Sequence, residues 1–272
     1  MKVDLKKQPI KDGAVEMATI FNDYDTAAKW IAEAKQAVAF TGAGISVESG
    51  IPTFRGPDGL WSRYDPQVLD LGYFYAHPKD SWEVIREIFY DYMEKKPMPN
   101  AAHILLAQLE KDEIVKGIIT QNIDGLHQKA GSRNVIQFHG TAQRLVCTQC
   151  RKKYDLRPGM LDTLPPLCES CGGLMKPDFI FFGEGIGPEE YQKSEELCKE
   201  ADLLIIVGTT GEVMPASMIP YEARKAKVIE INPEPSRYTA DKSDIFLQEK
   251  ATVAAKELIR RLDNITPFHW MK

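Results

Sequence analysis

Four of the five cysteines form two close pairs. The first Cys-x-x-Cys motif is Cys147 with Cys150, and the second is Cys168 with Cys171, with 17 residues between the motifs. Each motif places two sulfurs on one side of a tight turn, so the two turns together supply the four thiolates of a tetrahedral zinc site. Because four protein ligands leave no open coordination position, this spacing predicts one structural zinc ion. Two redox-active pairs are the alternative, but no thioredoxin-like pattern surrounds these cysteines.

A stretch rich in glycine and hydroxyl groups, Ala39 to Gly56, begins at the end of a short apolar segment. The small residues Gly42 and Gly44 would leave backbone N–H groups open to a phosphate. The hydroxyl of Thr53 and the guanidinium of Arg55 add further donors for phosphate. The glycine spacing departs from Gly-x-Gly-x-x-Gly, so the stretch by itself also fits a plain turn. We expect a cofactor-binding loop at a strand end.

Polar side chains also follow later apolar segments. Gln121, Asn122 and Asp124 come directly after Val115 to Thr120. Their amides and carboxylate suit a ligand that carries an amide, although Asn122 or Asp124 could simply cap the following helix. His139 stands at another strand tip, where an imidazole with an ordinary pKa of about 6.5 can accept a proton. The histidines to which we assign no catalytic role are His77, His103, His127 and His269.

Short apolar strands alternate with helices along most of the chain. This alternation predicts an α/β fold with a parallel sheet covered on both faces. The predicted strands end in GAG, QNID, HGT, GTT and NP. Because the carboxyl ends of parallel strands lie at one edge of a sheet, we expect these residues to line one crevice.

The chain divides into four parts in this interpretation. Asp25 is the expected N-cap of the first helix, Asn100 caps a helix over Ala101 to Lys111, and an aromatic stripe predicts a helix over Ser81 to Lys95. The expected parts are an N-terminal extension (1–24), a Rossmann-like domain (25–56, 98–143 and 179–264), a helical insertion (57–97) and a zinc-ribbon module (144–178).

The composition is that of an ordinary globular protein, with 43% hydrophobic and 27% charged residues. The net charge of −5 gives no general attraction for nucleic acid, and we expect no direct nucleic-acid binding although basic residues flank the cysteines. The first residues lack an apolar signal region and the apolar runs have strand length, so we expect neither a signal peptide nor a membrane anchor. Because cysteines arranged for metal binding must stay reduced, their spacing favours a cytoplasmic protein. Nothing in the sequence indicates an oligomeric state.

Taken together, the motifs resemble the sirtuin family. The matching segments are GAGISVESGIPTFRG (Gly42 to Gly56), TQNIDGLH (Thr120 to His127), FHG (Phe138 to Gly140), the two Cys-x-x-Cys motifs, FGE (Phe182 to Glu184) and GTT (Gly208 to Thr210). The resemblance covers roughly residues 25–262. It implies an α/β fold in which a Rossmann-like parallel-sheet domain carries a smaller module, made of a helical insertion and a four-cysteine zinc ribbon.

The resemblance also implies the activity of an NAD-dependent protein-lysine deacylase, in the first instance a deacetylase. NAD is consumed: nicotinamide leaves, and the acyl group passes from an acyl-lysine protein or peptide to ADP-ribose. The alternatives are a mono-ADP-ribosyltransferase that uses the same NAD site and a non-catalytic NAD-binding zinc-ribbon module. His139 argues against both, because neither simple transfer nor pure binding has an evident need for a general base.

Residue roles follow from the same resemblance. The implied catalytic residues are His139 as general base on a ribose hydroxyl, Asn122 at the nicotinamide end and Phe54 as a shield for the intermediate. The implied NAD-binding residues are Gly42, Ala43, Gly44, Thr53, Phe54, Arg55, Gln121, Asn122, Ile123, Asp124, His139, Gly208, Thr209, Thr210 and Asn232. The segment Phe179 to Gly183 would pair with the substrate backbone by strand addition, with peptide contacts at Ile180, Phe181, Phe182 and Gly183.

Departures from the family pattern are small. Thr210 replaces a common serine and keeps the hydroxyl, and Ile180 replaces the usual valine. The branch that removes succinyl or malonyl groups carries a Tyr-x-x-Arg pair in the helical insertion and tends to have alanine where Pro57 stands. No arginine follows Tyr73, Tyr75, Tyr90 or Tyr92 at that spacing. We therefore predict a preference for neutral acyl groups.

Overall fold

The computed structural model describes residues 19–56, 59–91 and 96–265. The strands in these ranges are β1 (Ile20–Phe21), β2 (Ala37–Thr41), β3 (Val115–Thr120), β4 (Val135–Gln137), β5 (Gly140–Cys147), β6 (Lys153–Asp155), β7 (Met175–Phe179), β8 (Leu203–Val207), β9 (Lys227–Asn232) and β10 (Ile245–Gln248). Seven of them form a wholly parallel sheet in the order β1-β10-β9-β8-β2-β3-β4.

Helices cover both faces of this sheet. The α-helices of the described residues are α1 (Tyr24–Glu33), α2 (Leu71–Ala76), α3 (Pro78–Ile85), α4 (Ala101–Lys111), α5 (Leu126–Lys129), α6 (Pro188–Glu200), α7 (Ile219–Glu222), α8 (Arg237–Asp241) and α9 (Ala251–Ile265). Of these, α2 and α3 belong to the helical insertion and do not pack on this sheet. Alternate side chains of β2 point to opposite faces, so Ala39 joins the core under α1, α4 and α9 whereas Phe40 joins the core under α6, α7 and α8. The expected α/β fold with a doubly covered parallel sheet is confirmed.

The remaining strands form a smaller antiparallel sheet in the order β6-β5-β7. Its apolar side shares one core with the helices of the insertion, where Trp82 and Phe74 pack with Leu145 and Met175. The indole N–H of Trp82 donates a hydrogen bond to the carbonyl oxygen of Met175 at 2.8 Å. The helical insertion and the cysteine ribbon therefore form a single module, as the fold prediction requires.

The amino-terminal region differs from the prediction. Residues 20 and 21 are the strand β1, paired with β10, and α1 begins at Tyr24. Asp23 caps α1 by accepting a hydrogen bond from the N–H of Thr26 at 2.9 Å, whereas Asp25 lies inside the first turn. A two-residue strand is too short to show periodicity, and the capping residue must precede the first helical residue. Residues 1–18 lie outside the described residues.

Two other expected boundaries also differ. The division at 143/144 falls within β5 and the division at 178/179 falls within β7, because the small sheet extends beyond the cysteines as far as Gly140 and Phe179. The expected helix over Ser81 to Lys95 is α3 followed by a wider π-helical turn over Arg86–Asp91, and residues 92–95 lie outside the described residues. The helix α4 and its cap, Asn100, are as predicted.

Across the three described ranges, every helix is too short or too polar to cross a membrane.

Candidate active site

The carboxyl ends of the central strands bring the predicted polar residues together. In the sheet register Thr41 lies beside both Thr120 and Val207. Contacts between the loops that follow are direct. The Gln121 amide donates to the hydroxyl of Thr209 at 3.0 Å, and the Asn232 amide donates to the carbonyl oxygen of Thr209 at 2.9 Å. The crevice predicted at this edge is therefore formed by side chains that contact one another.

Gly42 and Gly44 of the first loop pack against the loop that follows β8. The N–H groups of Gly42 and Gly44 donate to the carbonyl oxygens of Val207 (3.0 Å) and Gly208 (2.8 Å), so these two N–H groups are already engaged within the protein. A Cβ on Gly44 would lie 2.6 Å from the Cα of Gly208, and one on Gly42 would lie 2.8 Å from the Gly208 oxygen. Both positions need glycine because two strand-tip loops pack backbone to backbone. The place of these glycines in the cofactor site remains a prediction.

Asn122 and Asp124 meet at the hydroxyl of Ser46. The Asn122 amide donates to the Gly42 oxygen at 3.1 Å and to the Ser46 hydroxyl at 3.2 Å. Ser46 in turn donates to the Asp124 carboxylate at 2.7 Å. The other carboxylate oxygen accepts the N–H of Leu126 at 2.8 Å, so Asp124 also satisfies the first backbone donor of α5, although Gly125 is the N-cap of that helix. Burial raises the pKa of Asp124, and the two hydrogen bonds act in the opposite direction.

His103, for which the sequence predicts no catalytic role, extends this network. Its Nδ1 accepts the N–H of Asn100 at 3.4 Å, so the proton lies on Nε2, which faces the Ser46 oxygen at 3.5 Å. The resulting chain of donors runs from His103 through Ser46 to Asp124. Burial lowers the pKa of His103 to about 4, and His127, whose ring centroid lies 4.9 Å away, also has a lowered pKa. The spacing of Asn100 and His103, a capping pair, was the available sequence signal.

His139 has a defined tautomer. Its Nδ1 lies 3.1 Å from the carbonyl oxygen of Gln121, which can only accept, so Nδ1 carries the proton. The lone pair of Nε2 is then free to take a proton. Burial lowers the pKa of His139 below 6.5, against the smaller opposite effect of the Gln121 carbonyl. The imidazole is therefore neutral at pH 7, as a general base must be.

Phe54 lies at the junction of the two domains. Its ring packs against Trp61 at 5.5 Å and Phe89 at 6.2 Å, both from the helical insertion. The same loop is folded on itself by the Thr53 hydroxyl, which donates to the Arg55 oxygen at 2.6 Å, while the Arg55 residue is exposed. Pro57 lies outside the described residues.

A narrow cavity of about 50 Å³ connects these parts; its lining includes Ala43, Phe54, Phe89, Asn122, Ile123 and Asp124. A wider open groove of about 670 Å³ lies on the helical insertion, between Tyr73 and Phe182. That groove contains none of the polar strand-tip residues, so we place the site at the narrow cavity.

These residues suit NAD. The buried Asn122 and Asp124 offer a donor and an acceptor to a carboxamide, and the apolar lining of the cavity suits a flat ring. Thr209, Thr210 and Asn232 lie at the tips of β8 and β9, where an α/β sheet binds the rest of a dinucleotide. The Thr210 hydroxyl approaches only the Glu212 carboxylate, at 3.4 Å among the described contacts.

The predicted peptide segment follows β7 directly. The N–H of Ile180 donates to the His139 oxygen at 2.9 Å, which connects this segment to the proposed base. The backbone of Phe182 is already engaged on both sides, with its N–H on the Leu69 oxygen (2.8 Å) and its oxygen on the Leu71 N–H (3.0 Å). Strand addition by the substrate thus cannot use Phe182 as the segment stands; Gly183 next to it is the better candidate.

The four paired cysteines fit a tetrahedral metal. Their sulfurs all lie within 4.8 Å of one another, with separations of 3.5 Å for Cys147 and Cys171 and 3.7 Å for Cys150 and Cys168. Four sulfurs around zinc, each at about 2.3 Å from the ion, are roughly 3.8 Å apart. Cys147 ends β5, whereas His139 directly precedes its first residue, so the cluster and the imidazole lie at the two ends of this strand. The cluster supplies four protein ligands, as a structural site requires.

These features define a class of protein: an α/β protein with a candidate ligand site, including a neutral imidazole, at the carboxyl edge of its parallel sheet, and a separate four-cysteine module suited to a structural metal. A family model described as the Sir2 family matches residues 42–215. The NAD-dependent protein deacylase of Aeropyrum pernix is 44% identical over 241 residues, covering 86% of this chain and 96% of that protein. The chain belongs to the Sir2 family, which is the sirtuin family of the sequence resemblance.

Solved structures agree with this assignment. The chain resembles a Sir2 homolog–NAD complex with a TM-score of 0.82 at 38% identity, covering 91% of this chain and 96% of that one. It resembles a Sir2–p53 peptide–NAD⁺ complex with a TM-score of 0.80 at 32% identity, covering 89% of this chain and 98% of that one.

Zinc binding can be tested with one ligand and one matched cysteine. We expect one zinc ion per chain in the wild type and loss of the ion in Cys150→Ala, measured by elemental analysis. Because Cys147 and Cys168 belong to the core of the small module, we also expect the near-UV circular dichroism of that module to collapse. Cys198→Ala, which changes a buried cysteine of α6, should retain the zinc. An intact module without zinc would contradict a structural role.

The buried histidine can be tested through the pH dependence of stability. A histidine whose folded pKa is about 4 excludes a proton that the unfolded chain binds below about 6.5, so stability must fall as the pH drops through this window. At about 1.4 kcal/mol per pKa unit, wild type should lose roughly 3 kcal/mol relative to His103→Gln between pH 7 and pH 4. Urea unfolding at several pH values measures the difference, and all other groups are common to both proteins. Parallel stability curves would show that His103 is not buried in its neutral form.

Proposed function

We propose that this protein is an NAD-dependent protein-lysine deacylase. The observation that carries the proposal is the pairing of a neutral base, His139, with the Asn122–Asp124 network at one edge of the sheet. A domain that merely binds NAD needs no general base, and a hydride-transfer enzyme needs no buried carboxylate network beside the nicotinamide. Members of the family with similar sequences are named NAD-dependent protein deacylases and deacetylases.

Asn122 and Asp124 hold the carboxamide end of the cofactor in this proposal. NAD supplies a glycosidic bond that is cleaved and an ADP-ribose that accepts the acyl group. Asp124 accepts from the carboxamide NH₂, and its own position is maintained by Ser46 and the N–H of Leu126. Because Ser46 is held by His103, the nicotinamide end of the site is oriented by buried groups rather than by exposed loops.

His139 acts as the base through Nε2. The Gln121 carbonyl holds the proton on Nδ1 and orients the ring, so that Nε2 presents its lone pair to a ribose hydroxyl. Since burial lowers the pKa of His139, the base stays competent at neutral pH and loses function only as the medium becomes more acidic. Phe54, packed on Trp61, closes the cavity above the reacting carbon and excludes water.

The remaining site residues bind the rest of NAD. Arg55 and the Ala43 loop lie on the pyrophosphate side, Thr209 and Thr210 bind phosphate or ribose, and Asn232 binds the adenosine ribose. Asn232 and Gln121 both donate to Thr209, so these three residues form one surface for the cofactor.

Acyl-lysine proteins or peptides are the proposed substrates. A Sir2 structure that contains a p53 peptide and NAD⁺ supports a peptide site in this fold. In this chain the peptide would enter beside Ile180–Gly183. We place the protein in the cytoplasm, where cysteines remain reduced and available to zinc. We retain the division into a Rossmann-like domain, a helical insertion and a zinc ribbon, with the insertion and the ribbon acting as one module because they share a core.

The central test is an assay with an acetyl-lysine peptide, with and without NAD⁺, in which nicotinamide release and deacetylation are measured together. We expect both products in equal amounts and only with NAD⁺. His139→Ala should bind NAD⁺ with little change and lose turnover by at least about 100-fold, the usual contribution of a general base. Nicotinamide release with the acetyl group retained would instead indicate ADP-ribosyl transfer, and deacetylation without NAD⁺ would overturn the proposal.

Acyl preference can be tested with two peptides that differ only in the acyl group. Ala76 stands three residues after Tyr73, and Tyr73 packs on His77 at 4.6 Å, so no arginine meets an acidic acyl chain at this point. We expect kcat/KM for acetyl-lysine to exceed that for succinyl-lysine by at least about 10-fold, measured by mass spectrometry under matched conditions. Faster removal of the succinyl group would contradict this preference.

A further inference from the structure

Lys176 is a buried lysine that the site described above does not use. Its side chain lies on β7 and is only 4% exposed. Lysine is rarely buried without a partner, and here each of its three N–H donors finds one. The ammonium lies 3.1 Å from the Glu184 carboxylate, 2.7 Å from the Phe179 oxygen and 3.0 Å from the Pro177 oxygen. It also lies over the ring of Phe181, 4.6 Å from the centroid.

Glu184 completes a clamp around the peptide segment. The carboxylate oxygen that pairs with Lys176 also accepts the N–H of Phe181 at 2.9 Å. The N–H of Glu184 donates to the Phe181 oxygen at 3.0 Å. The ion pair thus binds the chain at Phe179 and again at Phe181, on either side of Ile180.

The clamp and the neighbouring backbone hydrogen bonds together leave few backbone groups of this segment for a substrate. The N–H of Ile180 donates a hydrogen bond to the carbonyl oxygen of His139. The backbone N–H and carbonyl oxygen of Phe182 are hydrogen-bonded to Leu69 and Leu71 of the helical insertion. Among the contacts of the described residues, the Ile180 oxygen and both backbone groups of Gly183 have no partner within the chain. These are the backbone groups that can pair with an added strand. The orientation of Ile180 depends on Phe179 and Phe181, and the orientation of Gly183 depends on Phe182 and Glu184.

We propose that Lys176 and Glu184 are a positioning pair that presents the Ile180 and Gly183 backbone groups to the acyl-lysine peptide. The inference rests on the proposed function, because it concerns how that peptide is bound. Neither residue contacts the reacting atoms; both act through the segment that they hold.

Stability alone is a poor explanation of the pair. A buried ion pair carries a desolvation cost, and an apolar pair of similar volume is often as stabilising. That cost is visible here, since burial lowers the pKa of Lys176 while the Glu184 carboxylate acts in the opposite direction. What an apolar pair cannot do is bond simultaneously to the Phe179 oxygen and the Phe181 N–H. The charged pair therefore fixes the backbone conformation of the segment from Phe179 to Phe181.

The test replaces the ammonium while its packing is retained. Lys176→Met keeps an unbranched apolar chain over Phe181 but has no donors. We expect KM for an acetyl-lysine peptide to rise about ten-fold. KM for NAD⁺ and the zinc content should not change, because within the described part of the chain the polar contacts of the ammonium are with Glu184, Pro177 and Phe179. Lys153→Met is the matched control: this exposed lysine of the same small sheet pairs with Asp178, and its loss should leave both KM values unchanged.

A second variant separates positioning from folding. Lys176→Met/Glu184→Gln has no uncompensated charge, and the amide oxygen introduced by the second substitution can still accept the Phe181 N–H, so its Tm should recover toward wild type. The peptide KM should stay raised, because the Phe179 oxygen still lacks its donor. A peptide KM that returns to the wild-type value together with the Tm would overturn the inference, as would a wild-type peptide KM in Lys176→Met. Absence of peptide turnover in the wild type would instead refute the proposed function itself.

Discussion

The backbone contact between the loops that follow β2 and β8 is the constraint on which the rest of the site depends. Gly42 and Gly44 lie so close to Gly208 that a Cβ on any of the three would collide with backbone atoms. The close approach places the Gly42 oxygen within reach of Asn122 and the Thr209 oxygen within reach of Asn232. Larger residues would separate the two strand tips, and the polar side chains that join the two loops would lose their partners.

Burial shifts the pKa of the acid and of the bases in opposite directions at this edge. It raises the pKa of Asp124 and lowers those of His103 and His139, since in each case the neutral form is favoured. The hydrogen bonds then fix the role of each group. Asp124 accepts the hydroxyl proton of Ser46, and the Gln121 carbonyl keeps the proton of His139 on Nδ1. The proposed roles of the site, holding a carboxamide and accepting a proton from a hydroxyl, need this division between a hydrogen-bond acceptor and a neutral base.

The zinc site influences the chemistry through packing. Cys147 and Cys168 belong to the same core as Phe181, which lies in the peptide segment, and Phe89, which contacts Phe54. A metal that closes the ribbon therefore supports these two aromatic residues through the core that they share with the cysteines. The same core explains why the helical insertion and the ribbon, separate in sequence, form one module.

Local patterns in the sequence were sufficient to predict the alternation of strands and helices, the α4 helix with its cap Asn100, the four-thiolate site and the strand-tip residues from Gln121 to Asp124 and His139. Each of these is indicated by residues within a few positions of one another, such as the two cysteines of one Cys-x-x-Cys motif. The two-residue strand β1, the extent of the small sheet and the contact of His103 with Ser46 depend on partners that are distant in sequence. The tertiary structure also decided the reason for Gly42 and Gly44, which pack on Gly208, and the burial of Lys176 against Glu184. Short-range periodicity specifies which element forms, but only the assembled fold determines which distant backbone and side-chain groups meet.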